Sequence, residues 1–325
     1  MAAGPPSLSC LCSRFRFPFP VHIAVLGSAA GGGFPQWNCN CRNCDGLRRG
    51  TLRARARTQS SICVRGSGSD FALINASPDV LAQIRAYPPL QPARGARDTA
   101  IAAVVLMDAQ IDHVTGLYML RERGTPLPLW CTELVRDDLS NANPVLRVLG
   151  HYCGVAYHPI PLDGTEFEIA GVPGVRFSAL TLASEAPPYS PRRGRPAPGD
   201  NVGLTVRDTA SDRRLFYAPG LGTIAPAVRA AMEAADCVLV DGTFWTDDEM
   251  QRAGFSSKRA RDMGHLPQSG AGGMLDVLGS LPAATRKVLI HINNTNPILD
   301  EDSPERARCA QLGVEIAWDG MEIEL

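Results

Sequence analysis

The stretch IAAVVLMDAQIDHVTG, residues 101–116, joins an apolar run to a cluster of polar groups. Its first seven residues, Ile101 to Met107, are all apolar and predict a strand buried on both faces. Four polar side chains then follow in what the pattern predicts to be a loop: Asp108, Gln110, Asp112 and His113. Acid and imidazole groups at the end of a buried strand are typical of a binding or catalytic site.

Later segments place similar groups where an apolar run stops. CVLVDGTF ends its strand on Asp241, KVLIHINN ends its strand on His291, and His265 lies in MGHLPQSG. In a sandwich the strand ends converge on one rim, so these groups are predicted to surround one cleft. Taken singly, each is more often a cap or a structural residue, and that is our interpretation of the other three histidines: His22, His151 and His158.

Most other apolar segments pair as hairpins, such as SSICVRG with FALINAS and VGLTVRD with RRLFYAPG. Helical segments lie between them, which predicts two mixed β-sheets flanked by helices, a four-layer αββα sandwich of the α/β class. No linker divides the chain, so residues 21–325 are expected to form one domain. Residues 1–20 are rich in Pro, Ser and Arg without periodicity, and we interpret them as a disordered or weakly docked arm or as an over-long start.

Composition narrows the function classes. The 325 residues include 32 basic and 33 acidic side chains, so no single-sign field favours nucleic acid or an anionic membrane. No apolar run approaches the roughly 18–20 residues that span a bilayer, which argues against membrane insertion. Ten cysteines in a large chain without a signal-like segment favour a reducing compartment, the cytoplasm. The sequence leaves a homodimer open.

The segment GFPQWNCNCRNC, residues 33–44, brings Cys39, Cys41 and Cys44 close together. The C-x-C-x-x-C spacing favours a structural zinc site, because zinc accepts tetrahedral sulfur ligands. Three reduced cysteines without metal remain the alternative. A redox pair is less favoured, since such pairs usually open a helix in a thioredoxin-like unit. The preceding glycines do not fit G-x-G-x-x-G, which disfavours a dinucleotide site.

The D-x-Q-x-D-H pattern resembles the H-x-H-x-D-H motif of the metallo-β-lactamase superfamily, with both leading histidines replaced. Together with GSAAGGGFPQWNCNCRNC, APPYSP, DGTFWTDDEM, MGHLPQSG and HINNTNPI, it makes the chain similar to the superfamily members of pyrroloquinoline quinone (PQQ) biosynthesis, from Val21 to the C-terminus. The resemblance implies the same αββα fold.

The resemblance also shows what this chain lacks. The superfamily usually builds two metal sites, the first from the H-x-H histidines and a third histidine in a later loop. Here Asp108 and Gln110 replace the first pair, and the loop LTLASEAPPYS has no histidine. Pro219 and Gly220 stand where an aspartate usually bridges the two metals. These departures disfavour a two-metal hydrolase.

The second site is retained as Asp112, His113 and His291, two imidazoles and one carboxylate. This is the ligand set of non-haem Fe(II) oxygenases. The resemblance implies Fe(II)- and O₂-dependent hydroxylation of the tyrosine ring of a small Glu-Tyr-derived precursor, alongside other PQQ-biosynthesis proteins. The alternatives are a zinc-dependent hydrolase of the same fold and a soluble carrier that assists transport of PQQ or its precursor.

Further residues receive supporting roles. Asp241, His265, Asp108 and Gln110 are candidates for acid–base catalysis or for orienting a ligand. For the zinc cluster, the resemblance places Asn294 at the fourth position, with another side chain or water as alternatives because an amide oxygen is a poor zinc ligand. Arg192 and Arg193 could bind substrate carboxylates, or could belong to a solvated basic loop.

Overall fold

The structure is a computed structural model and describes residues 20–325. The arm expected at residues 1–20 therefore lies outside the described residues, apart from Pro20, which is exposed and outside any regular element.

The strands form two sheets and are numbered in chain order. The first sheet contains β1 (His22–Gly27), β2 (Ser61–Arg65), β3 (Phe71–Ile74), β4 (Ile101–Val105), β5 (Leu127–Cys131), β6 (Val155–Pro159) and β13 (Glu322–Glu324). The second contains β7 (Val175–Thr181), β8 (Val202–Asp208), β9 (Arg214–Ala218), β10 (Cys237–Asp241), β11 (Arg286–Ile290) and β12 (Val314–Ile316).

Both sheets are mixed, as the sequence predicted. The first runs β13-β1-β2-β3-β4-β5-β6, antiparallel as far as β3 and parallel from β3 to β6. The second runs β12-β11-β10-β9-β8-β7, parallel from β12 to β9 and antiparallel from β9 to β7. Because neighbouring strands are parallel around β4, β10 and β11, their carboxyl ends lie at one edge of each sheet.

Burial follows the two-residue period of the strands and creates three apolar layers. Ala103 and Val105 of β4 face the core between the sheets, together with Val288 and Ile290 of β11. Val104, between them in sequence, faces the opposite side and packs with the helices over the first sheet. A third apolar cluster lies under the helices that cover the second sheet. The αββα sandwich is therefore confirmed.

Among residues 20–325 the α-helices are α1 (Arg42–Arg49), α2 (Val80–Ala86), α3 (Ile111–Val114), α4 (Glu133–Asn141), α5 (Val145–Leu149), α6 (Pro226–Glu233), α7 (Glu249–Arg252), α8 (Met274–Gly279) and α9 (Pro304–Gln311). Short 3₁₀ helices cover Pro88–Leu90, Thr115–Leu120, Arg261–Met263 and Pro297–Leu299. Within the described part of the chain, no helix has the length and apolar character that crossing a membrane requires.

Two local predictions were wrong. The sequence predicts a loop over residues 108–116 and one helix after it, LYMLRER, whereas α3 already begins at Ile111 and continues as 3₁₀ helix from Thr115. The sequence also predicts a short strand at FEI, residues 167–169, whereas Phe167 makes only an isolated bridge to Phe177.

Candidate metal centre

Three side chains from two sheets meet at the carboxyl ends of the parallel strands. Asp112 and His113 lie on α3, just beyond β4, and His291 is the first residue after β11. One ligand atom from each of the three lies within 4.8 Å of the other two. The structure thus brings together the three residues that the sequence predicted to be ligands, and they follow strands of both sheets.

His113 is oriented by Asp108. Its Nδ1–H donates to both carboxylate oxygens of Asp108, at 2.8 and 2.9 Å. Its Nε2 atom is buried, has no hydrogen-bond partner, and lies 3.8 Å from Oδ2 of Asp112. A buried nitrogen without a partner is costly in a folded protein unless something binds it. Asp108 therefore does not occupy a ligand position but fixes the ring so that an Nε2 lone pair faces Asp112.

His291 completes the group from the second sheet. Its Nε2 atom lies 3.3 Å from Oδ2 of Asp112, and its Nδ1 atom lies 2.9 Å from Oγ1 of Thr243. The backbone of His291 has φ of 61°, a left-handed conformation that costs a non-glycine residue about 1 kcal/mol or more. Such conformations cluster at functional sites, where the surrounding structure holds them in place.

The charges of the three groups are coupled. Burial raises the pKa of Asp112, but the rings of His113 and His291 outweigh burial and hold that pKa well below its ordinary value. Burial alone would lower the pKa of His113, but the carboxylates of Asp108 and Asp112 outweigh burial and raise that pKa to about 9. The pocket therefore favours a cation among these residues, whether a proton or a metal ion.

Asp241 and His265 form a second group beside the first. Nδ1–H of His265 donates to Oδ2 of Asp241 at 2.6 Å, and the ring of His265 stacks on that of His291, with centroids 5.4 Å apart. Burial opposes the charge on both residues, yet their pairing lowers the pKa of Asp241 and raises that of His265. We expected Asp241 to orient a ligating imidazole; its direct partner is His265.

Asp241, His265 and His291 could also hold a metal by their spacing alone. The hydroxyl of Thr243 argues against this, because Oγ1 lies 2.6 Å from Oδ1 of Asp241, 3.1 Å from Nδ1 of His265 and 2.9 Å from Nδ1 of His291. A zinc ion would need that space, at about 2.0–2.2 Å from the same atoms. Thr243 was missed from the sequence; the only signal was a hydroxyl residue two positions after the strand-end aspartate.

The glycine-rich loop after β1 lies against the centre. A Cβ atom on Gly31 would lie 3.3 Å from Oδ2 of Asp112, tighter than ordinary packing. The glycines thus let the backbone approach a candidate ligand closely. This close approach, rather than a dinucleotide, accounts for a glycine at this position.

The cysteine cluster lies on the far side of the loop that carries His291. The three cysteines come together around the start of α1, and backbone N–H groups of Gln36, Cys41 and Cys44 point at their sulfurs at 3.4–3.5 Å. Burial and, to a smaller extent, the neighbouring thiols raise the pKa of Cys41 to about 12, although the backbone N–H of Cys44 opposes this shift. The thiol of Cys41 therefore ionises near neutral pH only beside a cation, as a metal-binding cysteine must.

Asn294 lies where the fourth zinc ligand was expected. Its side-chain NH₂ group donates to the sulfurs of Cys39, Cys44 and Cys41 at 3.0, 3.4 and 3.6 Å. The amide thus supplies a hydrogen-bond donor in this structure, and ligation through its oxygen would need the amide to turn over. Asn294 as a fourth ligand stays a prediction.

The remaining site predictions have weaker support. Arg192 forms ion pairs with Asp138 of α4 at 2.8 Å and with Asp200 at 2.7 Å, so it ties the loop of residues 182–201 to that helix. This pairing argues against a substrate-binding role for Arg192. Arg193 donates to the carbonyl of Ala186 at 2.6 Å and is partly exposed, so its role stays a prediction. Gln110 precedes α3 and is half-buried; its role also stays a prediction.

The fold and this site define a class. The family model described as the beta-lactamase superfamily domain matches residues 72–292, which include Asp112, His113 and His291. A solved diphosphatase from the PhnP family shares the fold with a TM-score of 0.65 and 18% identity, over 95% of this chain and 98% of its own. The chain has the fold of the metallo-β-lactamase superfamily.

Closer relatives define the family within this class. The chain is 71% identical over 303 residues to "Coenzyme PQQ synthesis protein B" of Azoarcus sp. (strain BH72), covering 93% of this chain and 99% of the relative. It is 64% identical to the protein of that name from Cupriavidus necator, with the same coverage. The crystal structure of Zn²⁺-bound PqqB from Methylobacterium extorquens matches with a TM-score of 0.85 and 36% identity, over 94% of this chain and 100% of that one. The chain therefore belongs to the coenzyme PQQ synthesis protein B family.

Proposed function

We propose that this protein acts in PQQ biosynthesis as an Fe(II)- and O₂-dependent hydroxylase of the tyrosine ring of a small Glu-Tyr-derived precursor. The observation that carries the proposal is the cluster of Asp112, His113 and His291, with a buried, unpartnered Nε2 on His113. The names of the relatives support the pathway. We expect the protein to act in the cytoplasm with other proteins of that pathway.

The residues present fit a metal ion. His113 is held by Asp108 and His291 by Thr243, so each ring has its Nδ1 engaged and its Nε2 toward Asp112. Two imidazoles and one carboxylate would hold one ion and leave positions open. Ferrous iron in such a site supplies the electron-transfer chemistry that hydroxylation by O₂ requires.

The replacement of the first superfamily site supports one ion rather than two. Asp108, at the first motif position, accepts the Nδ1–H of His113 and is buried, so it is engaged within the chain. Pro219 and Gly220 follow β9 where the superfamily usually has a bridging aspartate. A hydrolase that depends on two bridged metals would lack those ligands here.

In this proposal His265 handles the proton of the substrate phenol. Its Nδ1 atom donates to Asp241, which leaves Nε2 as the atom that can accept a proton. Asp241 is fully buried and stabilises the imidazolium that would form. A fixed carboxylate–imidazole pair of this kind is a common general base.

The cysteine cluster has a structural role in the proposal. Zinc bound by Cys39, Cys41 and Cys44 would fix α1 to the loop of residues 291–296, because Asn294 contacts all three sulfurs. Asn43 adds to this connection by donating to the carbonyls of Asn294 and Asn296. The cluster would thus keep His291 in place without taking part in the reaction.

The test is turnover with defined metals, with and without oxygen. Ring hydroxylation places one oxygen atom of O₂ in a C–H bond and reduces the other to water, so a reductant must supply two electrons and two protons. Protein with zinc at the cysteines and Fe(II), Zn(II) or no metal at the second site is given a Glu-Tyr dipeptide and ascorbate. We expect O₂ uptake and a catechol product with Fe(II) alone.

One rival function rests on a specific observation, the Zn²⁺ bound in the crystal structure of PqqB from Methylobacterium extorquens. A zinc-dependent hydrolase would release product without O₂ and with Zn(II). A carrier would bind PQQ or its precursor tightly with no turnover under any condition. Either result would contradict the hydroxylase.

A further inference from the structure

Thr243 lies at the centre of the hydrogen-bond network between His265 and His291. Its side chain is buried, and its hydroxyl lies within hydrogen-bond distance of Asp241, His265 and His291. The same hydroxyl lies 2.9 Å from the backbone carbonyl of His291. The donor in each of these contacts therefore has to be assigned.

The contacts of the Asp241 carboxylate determine where the hydroxyl proton of Thr243 lies. Its Oδ2 accepts from the backbone N–H of Leu221 at 2.8 Å and from His265 at 2.6 Å. Its Oδ1 accepts from the backbone N–H of Thr243 at 2.9 Å and lies 2.6 Å from the Thr243 hydroxyl. A hydroxyl has one proton, and the short contact to an anion is the strongest place for it.

The proton between Thr243 and His291 then has to come from the imidazole. With its own proton on Asp241, the Thr243 oxygen can only accept, so Nδ1 of His291 carries a hydrogen and donates at 2.9 Å. A neutral imidazole with a proton on Nδ1 has its lone pair on Nε2, the atom that faces Asp112 at 3.3 Å.

We propose that Thr243 is a positioning residue: its hydroxyl connects the Asp241 carboxylate to His291 and holds that imidazole in the tautomer whose Nε2 lone pair faces Asp112. Asp241 thus orients two rings, His265 directly and His291 through the hydroxyl. Thr243 is to His291 what Asp108 is to His113, with a neutral group in place of a charge. The inference rests on the proposed metal site and assigns the residue that prepares it.

The first test reads the tautomer without any metal. Nitrogen-15 NMR at alkaline pH, on wild-type protein with zinc at the cysteines and no metal added at Asp112, His113 and His291, distinguishes a protonated Nδ1 from a protonated Nε2 on His291. We expect the Nδ1–H form. The Nε2–H form would overturn the proposal, whatever the fate of the hydroxylase hypothesis.

The second test uses Thr243→Val, which removes the hydroxyl at nearly constant shape, and Thr243→Ser, which keeps it. Binding of Co(II) is measured by its visible absorption in protein with zinc already at the cysteines. We expect Thr243→Val to weaken Co(II) binding about 10- to 100-fold, the usual effect of losing a partner behind a metal-binding histidine. Thr243→Ser should restore most of the affinity and the wild-type spectrum.

Thr285→Val is the matched control, because that buried hydroxyl bonds only the carbonyl of Ala235 at the other end of the second sheet. It should bind Co(II) like the wild type. Wild-type affinity and spectrum in Thr243→Val would overturn the positioning role. Failure of the wild-type protein itself to bind Co(II) at Asp112, His113 and His291 would instead refute the proposed metal site.

Discussion

The two clusters on either side of the loop of residues 291–296 differ in what surrounds them. The sulfurs of Cys39, Cys41 and Cys44 face hydrogen-bond donors on several sides, three from the backbone and one from Asn294. The other cluster mixes a carboxylate with two imidazoles, and the Nδ1 atom of each ring is engaged; Nε2 of His113 has no partner, and Nε2 of His291 lies 3.3 Å from Oδ2 of Asp112. Thiolate ligands surrounded by hydrogen-bond donors suit a structural ion, whereas one carboxylate and two imidazoles, which leave coordination positions open, suit a reactive one.

The two clusters are also close in sequence, because His291 and Asn294 are three positions apart. His291 belongs to one cluster and Asn294 to the other, so a change in the loop is expected to affect both. The experiments below therefore ask whether the clusters can be emptied one at a time.

The largest effect is expected from removing a ligand of the reactive cluster. His113→Gln should weaken metal binding at this cluster by more than about 100-fold, since loss of a mere partner of a ligand already costs 10- to 100-fold. Zinc at the cysteines should stay at one equivalent, as measured by elemental analysis. The control is His22→Gln, because His22 is a buried histidine at the start of β1, the end away from the glycine-rich loop that lies against the cluster. Loss of both metals in His113→Gln would mean that the clusters are not independent.

Removing a cysteine of the zinc cluster should lower the stability of the fold rather than change turnover directly. Cys41→Ser is expected to lose zinc and to lower the free energy of unfolding by about 3 kcal/mol or more, because a bound structural metal contributes directly to folding. Urea unfolding measures the change, and Cys153→Ser, a partly buried cysteine outside the cluster, is the control. A zinc-free Cys41→Ser protein that folds as stably as the wild type but turns over differently would contradict the structural role.

A smaller effect is expected behind the ligands. Asp108→Asn should keep a hydrogen bond to His113 but remove the charge that helps raise the pKa of that histidine to about 9. We expect Co(II) affinity to fall about tenfold, at the lower end of the range for such partners. It should also depend less on pH between 7 and 9, because fewer rings would carry a competing proton. A steeper pH dependence in Asp108→Asn would show that the carboxylate does not act through His113.

The smallest effect is expected for Glu249, which accepts a hydrogen bond from Thr295 and so supports the loop of residues 291–296. Burial raises the pKa of Glu249 to about 7, above the value of about 4.3 in an unfolded chain. The folded state therefore binds more protons between these values, and stability should fall as pH rises from about 4.5 to 7 and then level off.

Glu249→Gln should flatten this dependence, by an amount on the order of 1 kcal/mol, in urea unfolding at several pH values. Glu122→Gln, at an exposed glutamate, should leave the profile unchanged. If stability depends on pH in Glu249→Gln as it does in the wild type, Glu249 is not the cause of that dependence.

Most of the fold could be predicted from the sequence, because its central strands are continuous apolar runs that end on polar residues. The same feature predicted which side chains gather at the rim: Asp112, His113 and His291 follow such runs. β13 was missed, since Glu322–Glu324 contains one apolar residue and becomes a strand only by pairing with β1, about 300 residues away.

The supporting residues could not be read in the same way. Thr243 follows β10 and contacts His291, which follows β11. No local pattern in the sequence shows that a hydroxyl will lie between two histidines. For Arg192 the sequence left a substrate ligand and a solvated basic loop as alternatives, because no pattern shows that Asp138 and Asp200 are its partners. Long-range pairing of polar side chains, unlike strand burial, leaves no periodic signal.

The most direct test of one reactive ion beside a separate zinc cluster is X-ray absorption at the iron and zinc edges of protein loaded without oxygen. The account predicts one iron per chain with only nitrogen and oxygen neighbours, and one zinc with three sulfur neighbours. Sulfur bound to the iron, or a second metal at bridging distance from it, would contradict the account.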